Sequence, residues 1–174
     1  MRIFSYAFAL AILTISAAVA QGRPDPAPAQ KAGMEKLRFL AGTWSGPTTV
    51  SQAGKEIQIQ QTEEIQYKLG GILMLIEGTG RDEAGKVVFN ALAVVSFDPA
   101  SGKYTIRAWN DGHVVEAVLK VGDKSFEWGF TSGPVTVLDV MKVDEQGRWA
   151  ETSDATMVDG RKVSSVKMLL VRKL

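Results

Sequence analysis

Few side chains in this sequence could take part in catalysis. The 174 residues include one histidine, His113, and no cysteine. The lack of cysteine excludes thiolate metal sites, iron–sulfur clusters and a cysteine nucleophile. A single histidine excludes the usual catalytic metal sites with two or three histidines, so we expect no metal and no cofactor. The candidate general acids or bases are His113 and two carboxylates at predicted inward-facing positions, Glu63 and Asp139.

Charge and motifs argue against nucleic acid and nucleotides as partners, and we expect a small-molecule ligand. The sequence holds 20 basic and 19 acidic residues, whereas nucleic-acid binding depends on a basic surface that neutralises phosphates. It contains no Gly-x-Ser-x-Gly, P-loop or dinucleotide motif. About 45% of the residues are apolar, which is ordinary for a single globular domain with its own core.

The N-terminal segment resembles a targeting signal. Arg2 precedes an apolar stretch over residues 3–13, and Ala18-Val19-Ala20 follows as a small-x-small cleavage site. This pattern predicts a signal peptide over 1–20, cleaved after Ala20. We therefore expect a periplasmic or secreted protein without a stable membrane anchor after cleavage. Residues 21–31 are rich in proline and predict a disordered linker, so the folded domain is expected over 32–174.

Most of the domain has the pattern of strands. Met34, Leu37 and Leu40 have helical spacing and predict one short helix that ends near Gly42. Beyond it, nine turn signals separate runs rich in β-branched and aromatic residues, which predicts ten strands. The connections are too short for parallel crossovers. We therefore predict an all-β fold, an antiparallel up-and-down barrel of roughly ten strands, because closure removes exposed sheet edges.

Alternation along the strands predicts which residues face the lumen. Phe126, Trp128 and Phe130 alternate with small or polar residues and must point inward. A two-residue turn at Gly122-Asp123 would place Leu119 opposite Phe126. Carried from turn to turn, this reasoning places more polar side chains inside than a filled core tolerates, whereas several inner alanines leave room. We therefore predict a cavity.

The inward-facing residues give a candidate ligand site. Its predicted binding residues combine aromatic, apolar and polar side chains: Tyr67, Met74, Phe89, Tyr104, His113, Phe126, Trp128, Phe130, Met141 and Glu151. Such a lining suits a small apolar or amphipathic ligand. The alternative is a cofactor-free isomerase, cyclase or lyase in which His113 or an inner carboxylate acts as general acid or base.

The start of the domain resembles a known group of barrels. Phe39-Leu40-Ala41-Gly42-Thr43-Trp44-Ser45-Gly46 is similar to the opening of calycins, which include lipocalins, fatty-acid-binding proteins and nitrobindin-type barrels. Phe97-Asp98, Lys103-Tyr104 and Trp109-Asn110-Asp111 resemble motifs of an uncharacterised bacterial calycin-like family. The resemblance covers residues 34–174 and implies a calycin-like barrel, in which Trp44 packs across the closed end.

The same resemblance raises haem binding as a third possibility. Nitrobindin-like barrels hold haem through a histidine late in the chain. The last predicted strand, residues 162–173, contains no histidine, and His113 belongs to a different hairpin. The sequence therefore argues against haem, because such a pocket needs an axial ligand.

Overall fold

The computed structural model describes residues 25–173. They form a closed barrel of ten antiparallel strands, in which each strand pairs with its neighbours in sequence and β10 returns to pair with β1. The predicted ten-stranded up-and-down barrel is thus confirmed. The predicted signal peptide and its cleavage site lie outside the described residues. The strands are β1 (Gly42–Gln52), β2 (Lys55–Lys68), β3 (Leu73–Arg81), β4 (Val87–Asp98), β5 (Lys103–Asn110), β6 (His113–Gly122), β7 (Ser125–Ser132), β8 (Val135–Val143), β9 (Trp149–Met157) and β10 (Lys162–Arg172).

A short helical segment precedes the barrel. Helix α1 (Ala27–Met34) continues into a 3-10 helix over Glu35–Leu40, and we call the two together the plug helix. It begins seven residues before the predicted start at Met34, so residues 27–31 are helical rather than an extended linker. Pro28 fits there because the first turn of a helix needs no N–H from it. Within residues 25–173, no helix has the length and apolar character needed to span a membrane.

The plug helix closes one end of the barrel. Its Met34, Leu37 and Leu40 are at most 1% exposed. The indole Nε1 of Trp44 donates a hydrogen bond of 2.7 Å to the Leu40 carbonyl. The guanidinium of Arg172, on the last strand, lies 4.2 Å from the centre of the Trp44 ring and donates to backbone carbonyls of the plug helix and the residue after it. The first and last strands of the barrel therefore both contact the plug helix, through Trp44 and Arg172.

The strand faces follow the predicted alternation, although two registers differ from the prediction. The β6–β7 turn is Asp123-Lys124 instead of Gly122-Asp123, so Val121, not Leu119, pairs with Phe126. The β7–β8 turn is Gly133-Pro134 rather than Ser132-Gly133. Each change moves the pairing by two positions along the partner strand. Because side chains alternate with a period of two, an even shift leaves every residue on its predicted face.

The wall of the barrel has one weak junction. β6 and β7 pair only through Lys120–Gly122 and Ser125–Glu127, next to their turn. Beyond these residues the two strands have no paired register, although β5 remains paired to β6 as far as His113 and β7 remains paired to β8 as far as Ser132. We call this unpaired part of the β6–β7 junction the seam. It extends toward the end of the barrel opposite the plug helix.

Removing a plug side chain should destabilise the whole barrel. Leu37→Ala would leave a cavity under a fully buried side chain, and such changes cost about 2–5 kcal/mol. The free energy of unfolding, measured in urea, should fall by that amount. Lys36→Ala, at the exposed neighbouring position, is the matched control and should change it by less than about 0.5 kcal/mol. Equal effects of both variants would contradict the plug.

Candidate functional site

The barrel encloses a cavity of about 820 Å³. It opens at the rim opposite the plug helix, where Gln52, His113 and Ser132 lie beside hairpin turns. Its deeper wall includes Phe126 and Trp149, whose rings meet edge to face with centroids 6.0 Å apart. Trp149 also packs edge to face on Trp44, at 5.7 Å, on the side of the plug helix. Thus a layer of aromatic rings separates the cavity from the plug.

Small residues on three strands account for the space. Ala93 of β4 and Ala108 of β5 pair with each other and line the cavity. On β3, Gly78 lies opposite Glu63. A Cβ built on Gly78 would come within 2.9 Å of the Glu63 carboxylate, and one on Gly80 within 2.7 Å of the Gln61 side-chain oxygen. The absence of side chains at these glycines gives the Glu63 and Gln61 side chains room to lie across β3.

Glu63 is a buried acid with a neutral partner. Its side chain is inside the barrel, and the amide Nε2 of Gln61 donates a hydrogen bond of 2.7 Å to its Oε1. Burial raises the pKa of Glu63 to about 7, against the smaller lowering effect of that hydrogen bond. Glu63 is therefore a candidate general acid or base near neutral pH.

Two further carboxyl groups face the same space from adjacent strands. Asp139 of β8 lies opposite Ser153, and Glu151 of β9 accepts a hydrogen bond of 2.6 Å from the Trp149 indole. Burial raises the pKa of Asp139 to about 6. Burial also raises the pKa of Glu151, and the nearby charges of Asp139 and Glu63 raise it further. We call Glu63, Asp139 and Glu151 the acid cluster.

One polar atom in the cavity wall lacks a partner. Thr48 lines the cavity and is 1% exposed, yet its hydroxyl makes no hydrogen bond. Thr48 pairs with Met168, and Met168 pairs with Glu151, so the hydroxyl lies two strands from the acid cluster along one row of the wall. A buried hydroxyl usually has a partner. Here a bound molecule could supply it.

The predicted site residues fall into two groups. Six of them line the cavity together with two of the catalytic candidates, Glu63 and Asp139: Phe89, His113, Phe126, Trp128, Phe130 and Glu151. Tyr67, Met74, Tyr104 and Met141 lie outside its lining, in the packed part of the lumen. The hydroxyls of Tyr67 and Tyr104 donate hydrogen bonds of 2.6 Å to the carbonyls of Met34 and Gly33. The structure thus places both tyrosines at the plug helix.

His113 and the acid cluster lie at different depths. His113 begins β6 directly after the Asp111-Gly112 turn and is exposed at the rim. Its pairing partner on β5, Asn110, donates a side-chain hydrogen bond of 2.8 Å to the carbonyl of Asn90 on the neighbouring strand β4. In the acid cluster, Glu63 and Asp139 are buried and Glu151 is half-buried. His113 is therefore placed to meet a ligand at the mouth, and the carboxyls to meet its inner end.

The candidate binding residues leave out three polar groups that line or approach the acid cluster. Gln61 and Ser153 belong to inward-facing positions of β2 and β9. Gln61 donates a hydrogen bond to Glu63, and Ser153 lies opposite Asp139. Alternation along the strands places both on the inner face, although neither is among the predicted binding residues. Thr48 gives a weaker signal, because Pro47 and the Gly46 beside it interrupt the apolar alternation of β1. Across residues 25–173, no group of three or more His, Asp or Glu residues is arranged to hold a metal ion.

Comparisons with known proteins bear on the fold. No protein-family model and no curated protein matches this sequence. Among solved structures, the chain is similar to the crystal structure of Rv2717c from M. tuberculosis, with a TM-score of 0.63 and 12% sequence identity. The match covers 82% of this chain and 98% of that one. At this identity the likeness shows the fold alone, and it fits a calycin-like barrel at that level.

The raised pKa values predict how stability depends on pH. A carboxyl whose pKa is higher in the folded than in the unfolded chain favours folding at low pH, and this contribution is lost as pH rises through the folded pKa. For Glu63 the loss extends from about pH 4.5 to above pH 7. The free energy of unfolding of Glu63→Gln, relative to that of wild type, should therefore be higher at pH 8 than at pH 5 by on the order of 3 kcal/mol.

Urea unfolding of wild type and variant at both pH values measures this difference. Glu64→Gln is the matched control, since Glu64 neighbours Glu63 but is exposed on the outer face, and its pH profile should follow wild type. A Glu63→Gln profile parallel to wild type would contradict the burial of an ionisable Glu63.

Proposed function

We propose that this protein binds a small apolar or amphipathic molecule in the lumen of its barrel, in the periplasm or outside the cell. The observation that carries the proposal is the cavity of about 820 Å³, which is open at one rim and plugged at the other. Pockets for small molecules combine a mostly apolar wall with a few polar groups that orient the ligand. Here Trp128 and Phe130 stack with ring centroids 5.8 Å apart and supply apolar wall, and the acid cluster supplies the polar groups.

The location rests on the sequence signal of residues 1–20. A signal peptide would deliver the barrel across the membrane before folding, and a binding barrel in that space would meet small molecules from outside the cell. Detection of a mature protein that begins at Gln21 in the periplasm or medium would support this part of the proposal.

Filling the cavity tests the binding function directly. Ala108→Phe would add a ring to the cavity wall, so affinity for a neutral apolar dye such as N-phenyl-1-naphthylamine should fall at least tenfold. Fluorescence titration of the dye provides the measurement. Val118→Phe, at a half-exposed outward position of β6, is the control and should bind as wild type does. Equal dye binding by all three proteins would contradict binding in the lumen.

A second candidate function is proton transfer by an inner carboxylate. The observation in its favour is that burial brings the pKa of Glu63 to about 7 and that of Asp139 to about 6. General acid–base catalysis works best with groups whose pKa lies near the working pH. A cofactor-free isomerase, cyclase or lyase could use such a group. Native mass spectrometry of protein from its own host would reveal a co-purifying molecule, and its conversion on incubation would favour catalysis.

Substitution of His113 tests the other form of the catalytic alternative, in which His113 rather than an inner carboxylate is the general acid or base. On the binding proposal, His113→Ala removes at most one contact at the exposed rim, so affinity for the co-purifying molecule should stay within about tenfold of wild type. His113→Gln serves as a conservative control with the same expectation. If instead the molecule is converted and His113→Ala lowers turnover by orders of magnitude with affinity kept, the protein is an enzyme that uses His113.

A further inference from the structure

The ionisable side chains that line the cavity are mostly acidic. Three acidic side chains line it, on β2, β8 and β9, and the other titratable residue of the lining is His113 at the rim. No lysine or arginine belongs to that lining. Arg172 lies over the Trp44 ring, on the plug side of the aromatic layer. A ligand with a carboxylate or phosphate head would meet acidic side chains and no lysine or arginine of the lining.

The neutral polar groups beside the acid cluster also favour a hydrogen-bond donor. The Gln61 amide already directs its N–H at Glu63, and the Trp149 indole directs its N–H at Glu151. These donors leave the other carboxylate oxygens as acceptors. Independently, the unpartnered hydroxyl of Thr48 is buried in the cavity wall and can accept a hydrogen bond. An ammonium group has three donors and no acceptor, which matches this set.

The position of the cluster orients such a ligand. Asp139 pairs with Trp128, and the stacked pair Trp128 and Phe130 continues along β7 from there toward the rim. An apolar body attached to the head would therefore lie along these rings. Aromatic faces also attract cations, so an ammonium near Trp128 is favoured on a second count.

We propose that the ligand is a lipophilic amine, whose ammonium binds among Glu63, Asp139 and Glu151 and whose apolar body packs against Trp128 and Phe130. This inference rests on the proposed binding function and specifies its ligand class. Positive charge from the ligand would replace the cation that the acid cluster lacks.

Binding should then depend on pH in a defined direction. In the empty cavity, burial raises the pKa of Glu63 to about 7 and that of Asp139 to about 6, and it also raises the pKa of Glu151. The groups that face it, Gln61, Ser153 and Trp149, are neutral, and His113 lies at the rim. A bound ammonium favours the ionised carboxylates, so binding releases protons. Affinity for the amine should rise from pH 5.5 to pH 8, whereas affinity for a neutral ligand should not.

Three ligands that differ only in the head group test the proposal. Octylamine, octanol and octanoate share one chain length and are titrated calorimetrically into the full chain at pH 7.5 and low salt. Octylamine should bind at least tenfold more tightly than octanol, and octanoate most weakly of the three. Octanol affinity equal to that of octylamine, or octanoate as the tightest ligand, would overturn the amine proposal while leaving the lumen as a binding site.

The neutral dye N-phenyl-1-naphthylamine keeps the two proposals apart. If the dye binds but octylamine does not, the amine proposal fails alone. If neither the dye nor any octyl ligand binds, the proposed function fails as well.

Variants of the acid cluster locate the head group. Glu63→Gln and Glu151→Gln should each lower the ratio of octylamine to octanol affinity at least fivefold, with octanol affinity as internal evidence of an intact cavity. Thr48→Val should lower that ratio about twofold to fivefold. Glu64→Gln, on the outer face, is the matched control and should leave it unchanged. An unchanged ratio in both acid-cluster variants would overturn the proposal.

Discussion

Closure of the sheet through the β1–β10 ladder is the constraint on which the rest of this structure depends. Trp44 pairs with Arg172 at one end of this ladder and Gln52 with Ser164 at the other. Once the sheet is closed, every second residue of all ten strands must point into a lumen of fixed width. Away from the open rim, polar residues at those positions cannot turn to bulk solvent. The buried carboxyls are therefore a direct consequence of closure combined with the alternation of the chain, and their raised pKa values follow from the loss of hydration.

The lumen is divided by its aromatic layer into two environments. On the plug side, Leu37 and the neighbouring apolar side chains are packed without exposure, and the tyrosine hydroxyls of Tyr67 and Tyr104 satisfy carbonyls near the end of helix α1. On the other side, alanines and glycines leave the wall uncovered. The plug side gives the barrel a conventional core, which stabilises the fold. The other half can remain open because the core does not need it.

Alternation along the strands predicted the fold and the inner face well, because a barrel requires one consistent face on every strand. The two turns at Asp123-Lys124 and Gly133-Pro134 lie one residue later than predicted. Each displacement shifts the strand pairing by two positions, so the predicted faces are unchanged. Depth along the barrel axis was harder to predict. Tyr67 and Tyr104 are inward as expected, yet whether they meet a ligand or the plug depends on where the helix packs. That in turn depends on its start at Ala27, inside a proline-rich segment that composition alone describes as a linker.

The short ladder between β6 and β7 means that the barrel has a circumference that is only partly fixed by hydrogen bonds. Lys120–Gly122 and Ser125–Glu127 pair the two strands near their turn. Along the seam, β6 is paired only with β5 and β7 only with β8. Moving them apart along the seam would break no backbone hydrogen bond of that ladder. The cavity can therefore widen at the seam to admit a bulkier ligand without breaking the strand pairing at the plugged end.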